Sequence, residues 1–306
     1  MAVERIVSLI PAGTEIVAAL GFGDKLVGRS HECDFPEVVR GLPALTASNF
    51  DAAGLSGVEI DQTVRELIGQ GKPLYRIDEK KLRELRPQVV VTQAQCDVCA
   101  VDLDEVERVC KTFGQPCQVV AVQGQSLNDL WQDIIRVAKV LEAVTDGLEL
   151  VMRLKQRLFD IRQKAASATH KPTVACVEWM EPLMVSGNWM PEMVETAGGI
   201  NLFSQGGRHS PEVGWGEFMK QDPETVVVMP CGYGLARTRK ELSALTKRTY
   251  WDLLKAVRGT NVFLADGNSF FNRPGPRLVE STEMLAEIFH PDLFMFGHEG
   301  NGWERI

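Results

Sequence analysis

Two cysteines spaced as Cys96-x-x-Cys99 follow an apolar run, residues 89–91, that predicts a buried strand. The carboxyl ends of such strands are where α/β proteins build their binding sites. A third thiol, Cys33, follows another predicted strand end, next to His31. If the two loops meet in space, they form a Cys/His cluster, which favours a metal site, a redox site or part of the wall of a ligand pocket.

The metal interpretation rests on the type of side chain. The candidate metal ligands are His31, Cys33, Cys96, Cys99 and, from the second half of the chain, Cys231. The first four have the Cys3His composition of a structural zinc site, and thiolates also suit iron–sulfur clusters and other soft metals. Only one residue separates His31 from Cys33, which is closer than zinc ligands usually stand. A redox-active dithiol and small semi-buried residues lining a cleft therefore stay open.

The composition excludes several classes of protein. Among 306 residues, 44% are hydrophobic and 24% are charged, which suffices for two globular lobes. The net charge of −8 argues against nucleic acid as a partner, and no run approaches the roughly 18 apolar residues of a transmembrane helix. Seven scattered cysteines, and a Met1 that leads into a strand with no signal peptide, predict a cytoplasmic protein, with a periplasmic location as the alternative.

Predicted strands and helices alternate through both halves of the chain. A strand over residues 5–10 leads into an apolar helix, and a second alternating set begins with a strand over residues 173–177. Amphipathic stretches at 127–144 and 148–166 predict a long connecting helix that bends near residues 146–147. We therefore expect the α/β class, with two Rossmann-like lobes of parallel sheet bridged by a long helix and a ligand cleft between them.

The loops at predicted strand ends of the second half carry side chains suited to a large planar ligand. These side chains are Trp179, Glu181, Tyr233, Phe271 and Arg273. Aromatic walls with a few polar groups are typical of small-molecule pockets. A glycine-rich loop around His209 is a candidate mobile lid.

Five stretches of sequence carry a resemblance to a known family. RIVSLIPAGTE at residues 5–15 resembles the opening of the cobalamin-binding proteins of ABC importers, and LRPQVVV at 85–91 is similar to a strand entry in that family. PLMVSG at 182–187 and AGGINLF at 197–203 resemble the opening of its second lobe. FNRPGPR at 271–277 resembles its last strand-end loop. The chain thus resembles the cobalamin- and iron-siderophore-type substrate-binding proteins.

The resemblance implies two α/β lobes, residues 1–142 and 171–306, bridged by one rigid helix over residues 143–170. It also implies a ligand held between the lobes, such as cobalamin, haem or a ferric siderophore, and contact with an ABC permease. The loops around Cys33 and Cys96 resemble those of a cytosolic-type subgroup without signal peptides.

The first hypothesis is a protein that binds cobalamin, another corrinoid or a related metal-containing small molecule. The predicted ligand-binding residues are Glu15, Glu32, Trp179, Glu181, Trp189, His209, Tyr233, Phe271, Asn272 and Arg273. Within this set, the aromatic side chains are expected to form apolar walls and the others to make polar contacts.

The alternative is a metal-dependent enzyme. In this hypothesis His31 and the thiolates hold zinc or iron, and Glu32, Asp34 or Glu181 acts as a general acid or base. The chain has no GxSxG, Walker, HExxH or GxGxxG motif in a strand–helix context, which favours binding over catalysis.

Overall fold

The computed structural model describes residues 3–94, 103–114 and 116–306. The chain divides into two compact units. Unit 1 comprises Met1–Leu55, Ile60–Gly124 and Asn128–Arg153, and unit 2 comprises Ser56–Glu59, Gln125–Leu127 and Leu154–Ile306. Each unit contains a sheet with parallel strands and flanking helices, so the predicted α/β class with two lobes is confirmed.

The described elements are short and alternate along the chain. The strands are β1 Ile6–Ser8, β2 Leu26–Arg29, β3 Thr46–Ser48, β4 Tyr75–Ile77, β5 Val89–Gln93, β6 Gln118–Val122, β7 Thr173–Trp179, β8 Met184–Val185, β9 Ile200–Asn201, β10 Thr225–Val228, β11 Val262–Ala265 and β12 Trp303–Arg305. The helices are α1 Pro11–Val17, α2 Gly57–Gly69, α3 Glu79–Leu85, α4 Leu103–Lys111, α5 Leu127–Val140, α6 Val144–Ala165, α7 Met190–Thr196, α8 Trp215–Gln221, α9 Leu235–Glu241, α10 Ser243–Thr246, α11 Lys255–Arg258 and α12 Leu278–Phe289. None of the described helices is both long and apolar enough to span a membrane.

The sheet of unit 1 has the strand order β2-β1-β5-β6, with all neighbours parallel. Its two central strands, β1 and β5, are buried along their whole length. The apolar run of residues 89–91 in β5 explains this, because a parallel strand covered on both faces needs apolar side chains on both. A separate antiparallel pair, β3 and β4, closes the segment that contains α2.

The sheet of unit 2 has the order β12-β11-β10-β7-β8, and β9 pairs with β7. Strands β7, β10 and β11 are parallel neighbours, whereas β8 and β12 run antiparallel to them. The carboxyl ends of β7, β10 and β11 therefore lie side by side at one edge. The loops that follow these three strands are those singled out from the sequence.

The predicted bend near residues 146–147 is wrong, because the chain breaks four residues earlier. Glu142 adopts a left-handed backbone conformation with φ of 58°, and the Ala143 N–H donates to the Ala138 carbonyl at 2.8 Å, which ends α5. Gly147 lies inside α6, where a Cβ would come within 2.6 Å of the Ala138 Cβ. This glycine permits close contact between two helices instead of ending one.

Replacing Gly147 by alanine is expected to destabilise the protein by about 1–2 kcal/mol, although alanine is the better helix former. The added methyl group collides with Ala138. Gly216 in α8 is the matched control, since a Cβ there meets no atom within 4 Å, and Gly216→Ala is expected to stabilise by about 0.5 kcal/mol. Urea unfolding checks both variants, and equal gains in stability would contradict the packing argument.

Partly buried charged side chains join α6 and α12 to the C-terminal segment of unit 2. Arg157 contacts Glu283 at 2.7 Å and Glu280 at 3.0 Å, and the His298 Nε2 lies 3.1 Å from Glu283 Oε2. The hydrogen bond with Glu283 raises the pKa of His298. Burial opposes ionisation of Glu283, but its bonds with His298 and Arg157 outweigh burial and lower its pKa.

These shifts predict a pH-dependent contribution from His298. A histidine whose pKa is raised in the folded state stabilises the folded protein at pH values below its unfolded pKa of 6.5. This stabilisation is lost as the pH rises through the pKa of the folded state. The lowered pKa of Glu283 keeps the carboxylate charged in the same range. We expect His298→Gln to cost about 1 kcal/mol more at pH 5.5 than at pH 8.5 in urea unfolding. A pH-independent cost would exclude the charged pair as its source.

Candidate functional site

Two aromatic side chains meet at the carboxyl edge of the unit 2 sheet. Trp179 is the last residue of β7, and Tyr233 stands in the turn after β10. Gly232, with φ of 74°, allows this turn, and the Tyr233 N–H donates to the Pro230 carbonyl at 3.0 Å. The two ring centroids are 5.3 Å apart with an interplanar angle of 59°, and the Arg237 guanidinium carbon lies 4.0 Å from the Tyr233 centroid.

The aromatic pair forms part of the wall of a cavity of about 530 Å³. All of its lining residues belong to unit 2. They come from the ends of β7 and β10, from α9 and α10, and from the short segment Ser56–Glu59. The lining consists of Ser56, Gly57, Val58, Trp179, Met180, Glu181, Pro230, Tyr233, Lys240, Glu241, Ser243, Ala244, Lys247 and Arg248.

Some charged groups of this cavity form ion pairs and others do not. Arg248 forms an ion pair with Glu181 and donates from Nη2 to the Met180 carbonyl at 2.9 Å. Glu241 Oε2 accepts a long hydrogen bond of 3.5 Å from the Gly57 N–H. Within the described parts of the chain, Lys240 and Lys247 form no ion pair. The cavity therefore offers two cationic groups that its own carboxylates do not bind.

Two buried donors of the cavity lack hydrogen-bond partners among the described residues, namely Trp179 Nε1 and the Tyr233 hydroxyl. Tyr233 is only 3% exposed. Burial raises its pKa above the usual 10, so the hydroxyl keeps its proton and can donate it. Unpartnered buried donors are rare in folded proteins and call for an explanation such as a ligand.

Other predicted binding residues of unit 2 support the loops instead of lining this cavity. Trp189 is buried and donates from Nε1 to the carbonyl of Phe271, which is itself fully buried. Asn272 donates to the Met229 carbonyl at 3.0 Å and thereby ties the loop after β11 to the loop after β10. Arg273 is 7% exposed and donates to Asn268 Oδ1 at 3.2 Å.

Two further predicted residues of unit 2 lie on its surface. His209 is exposed, with its Nδ1 3.1 Å from the Ser210 carbonyl. Its loop is tied to Asn188, since the Gly207 N–H donates to the Asn188 carbonyl at 2.9 Å. Cys231 is exposed in the turn before Tyr233. Neither side chain lines the cavity.

The predicted residues of unit 1 have local partners. Cys33 is 1% exposed, and its Sγ accepts a hydrogen bond from Thr14 Oγ1 at 3.0 Å. His31 has its Nδ1 2.7 Å from Thr46 Oγ1 and its Nε2 3.9 Å from Glu32 Oε1. Burial lowers the pKa of His31, which keeps the ring neutral at pH 7. Glu15 is 3% exposed within α1.

The described residues contain no group of three or more His, Cys, Asp or Glu side chains that could hold a metal ion. Cys96 and Cys99 lie outside the described residues, so their part in the predicted Cys3His set stays a prediction. The observed environment of Cys33, beneath α1, is that of a small core residue.

Sequence reasoning identified Trp179, Glu181 and Tyr233, which do line the cavity, but it missed the residues from α9, α10 and the Ser56–Glu59 segment. The rule that sites lie at the carboxyl ends of parallel strands identifies only the loops that directly follow those strands. Lys240 in α9 and Lys247 directly after α10 stand in polar sequence that matches an ordinary solvated surface, and no motif distinguishes them.

Comparisons with known proteins agree with this architecture. A family model described as "Periplasmic binding protein" matches residues 6–268. The uncharacterised ABC transporter substrate-binding lipoprotein YvrC of Bacillus subtilis is 24% identical over 296 residues, covering 95% of this chain and 81% of that protein. The vitamin B12-binding protein of Vibrio vulnificus strain YJ016 is 23% identical over 292 residues, covering 94% and 90%. A periplasmic heme-binding protein from Pseudomonas aeruginosa has a TM-score of 0.73 at 18% identity, covering 99% and 98%.

These relatives contradict the expected cytoplasmic location, because they are described as lipoprotein or periplasmic binding proteins. The expectation relied on the start of the given sequence and on its cysteines, and the descriptions of the relatives point to an extracytoplasmic location instead. The comparisons also lend no support to zinc or to the metal-dependent enzyme.

Proposed function

Because the chain belongs to the periplasmic binding protein family, as its sequence motifs predict, we propose that it binds a small molecule of the cobalamin class. The cavity around Trp179 and Tyr233 contacts part of this ligand. Delivery to an ABC permease is the corresponding biological role, in keeping with the lipoprotein relative.

The observation that carries this proposal is the pair of angled aromatic rings with unpartnered donors in one cavity. Flat apolar surfaces favour a large ring ligand, and a few buried polar groups orient it. A cavity of about 530 Å³ has the size of a small-molecule site, but a complete corrinoid is larger. We therefore infer that the cavity takes one edge or substituent of the ligand.

A haem-type ligand is the alternative within the same function. It is supported by the similarity to a heme-binding protein and by the two lysines of the cavity, which suit the carboxylates of haem. Both ligands are coloured, so absorption spectroscopy distinguishes them directly.

The test is titration of the purified protein with cyanocobalamin and, separately, with haemin, followed by calorimetry and visible absorption. We expect saturable one-to-one binding of cyanocobalamin with a Kd of about 1 μM or tighter. The absorption spectrum and the cobalt and iron content of protein isolated from its own source provide an independent measurement. Absence of binding to both ligands, in a protein that unfolds cooperatively, would refute the proposed function.

A further inference from the structure

We infer that the cavity of unit 2 is a subsite for an anionic, oxygen-rich substituent of the ligand, a phosphate or a carboxylate, held by Tyr233, Trp179, Lys240 and Lys247. This inference deepens the proposed function and relies on it for the ring portion of the ligand. The evidence comes from two independent features of the cavity, its unpartnered donors and its unpaired positive charge.

The side chains that carry the two unpartnered donors lie beside the same small residue. A Cβ built on Gly57 would lie 3.5 Å from the Tyr233 hydroxyl oxygen and 3.7 Å from Trp179 Cε2, the carbon bonded to Nε1. A buried donor without a partner is unfavourable, and one acceptor group with several oxygens would satisfy both donors at once.

The charges explain why the acceptor should be anionic. Glu181 is already bound by Arg248, whereas Glu241 accepts a long hydrogen bond of 3.5 Å from the Gly57 N–H. The described lining has three cationic side chains and two carboxylates, so positive charge is in excess by one. Lys240 of α9 and Lys247, the residue directly after α10, contribute two of the positive charges. Hydrogen bonds to a charged acceptor are stronger than those to a neutral amide, so these donors favour an anion.

Glycine at position 57 keeps the space beside the donors open. Its hypothetical Cβ makes only ordinary contacts of 3.5–3.7 Å, so alanine fits, whereas a longer side chain would occupy the space where the anion binds. The absence of a side chain at position 57 thus leaves room for the substituent.

The first experiment uses an aromatic anion as the probe. 8-Anilinonaphthalene-1-sulfonate carries a sulfonate, and N-phenyl-1-naphthylamine is its neutral analogue, and both report binding by fluorescence. We expect the double variant Lys240→Gln/Lys247→Gln to lower the affinity for the anionic probe about fivefold relative to the neutral one. Lys171→Gln/Lys220→Gln, two exposed lysines outside the cavity with the same change in net charge, should leave that ratio unchanged.

The second variant, Tyr233→Phe, separates a binding role from a structural one. It should weaken the anionic probe about threefold, yet it should not lower the midpoint of thermal unfolding, because the removed hydroxyl has no hydrogen-bond partner among the described residues. A lowered midpoint with unchanged probe affinity would overturn the subsite, as would a double lysine variant that keeps the wild-type ratio.

The source of the anion follows from a comparison of three ligands. Cyanocobalamin carries a phosphodiester, cobinamide lacks it, and haemin carries two carboxylates. If the wild-type protein prefers cyanocobalamin to cobinamide and the double lysine variant does not, the group bound in the subsite is the phosphate. If haemin binds and the double lysine variant weakens its binding, the bound groups are the haem carboxylates. Lysine-dependent binding of the sulfonate probe without binding of any of the three ligands would retain the subsite and reject the proposed function.

Discussion

Replacing Trp179 by alanine is expected to weaken cyanocobalamin binding by about 30-fold, which corresponds to about 2 kcal/mol. The side chain lies at the end of β7, its ring stands 5.3 Å from that of Tyr233, and its Nε1 has no partner in the described protein. Truncation removes the apolar wall and the donor together. Buried tryptophans at binding sites are among the residues whose loss costs most.

Two further variants decide how this loss arises. Trp179→Phe retains a ring but not the indole N–H, so we expect an intermediate loss of about fivefold. Phe159→Ala, an exposed aromatic residue of α6 at 54% exposure, is the control and should leave the Kd unchanged. Isothermal titration calorimetry gives the affinities, and circular dichroism verifies folding. A folded Trp179→Ala protein with wild-type affinity would show that the aromatic pair does not contact the ligand.

Gly267→Ala is expected to destabilise the protein by about 3 kcal/mol and to abolish measurable ligand binding at micromolar concentration. Gly267 begins the loop after β11. A Cβ at this position would collide with the Pro230 carbonyl oxygen, approach the Met229 carbonyl oxygen to 2.6 Å and approach Asn272 Nδ2 to 2.8 Å. Two of these atoms are backbone atoms next to the Tyr233 turn, so they cannot move without moving the site.

Gly234→Ala is the matched control for this prediction. Gly234 lies one residue beyond Tyr233 in the same loop region, but a Cβ there meets only Asp266 Oδ2 at 3.8 Å. We expect a change of less than about 0.5 kcal/mol in urea unfolding. If Gly267→Ala and Gly234→Ala behaved alike, the close approach of the loops after β10 and β11 would not be what holds the site.

The places of the strands along the chain and the loops that follow them could be predicted from the sequence, for a physical reason. Residues 89–91 and 226–228 are continuous apolar runs, which are typical of strands covered on both faces. Because parallel strands share one carboxyl edge, the loops that carry Trp179 and Tyr233 are expected to line one crevice, and the two ring centroids do lie 5.3 Å apart, at an interplanar angle of 59°.

Other predictions depended on where each side chain points, which the sequence does not encode locally. Phe271 and Trp189 were predicted to form apolar walls, but the Trp189 indole N–H bonds the Phe271 carbonyl and both residues are buried beneath the loops. An aromatic residue has the same local signature whether it supports a loop or faces a ligand. Cys33 likewise turned inward to Thr14.

The sequence by itself determined the α/β class and placed Trp179 and Tyr233 at strand ends, because apolar periodicity is a local property. The family followed separately, from the resemblance of short sequence motifs. Only the tertiary structure decided that Ser56–Glu59, Lys240 and Lys247 join that pair, that the helix breaks at Glu142, and that two buried donors remain unpartnered. These features arise from contacts between residues far apart in the chain. Their existence depends on packing, which no local pattern of residues specifies.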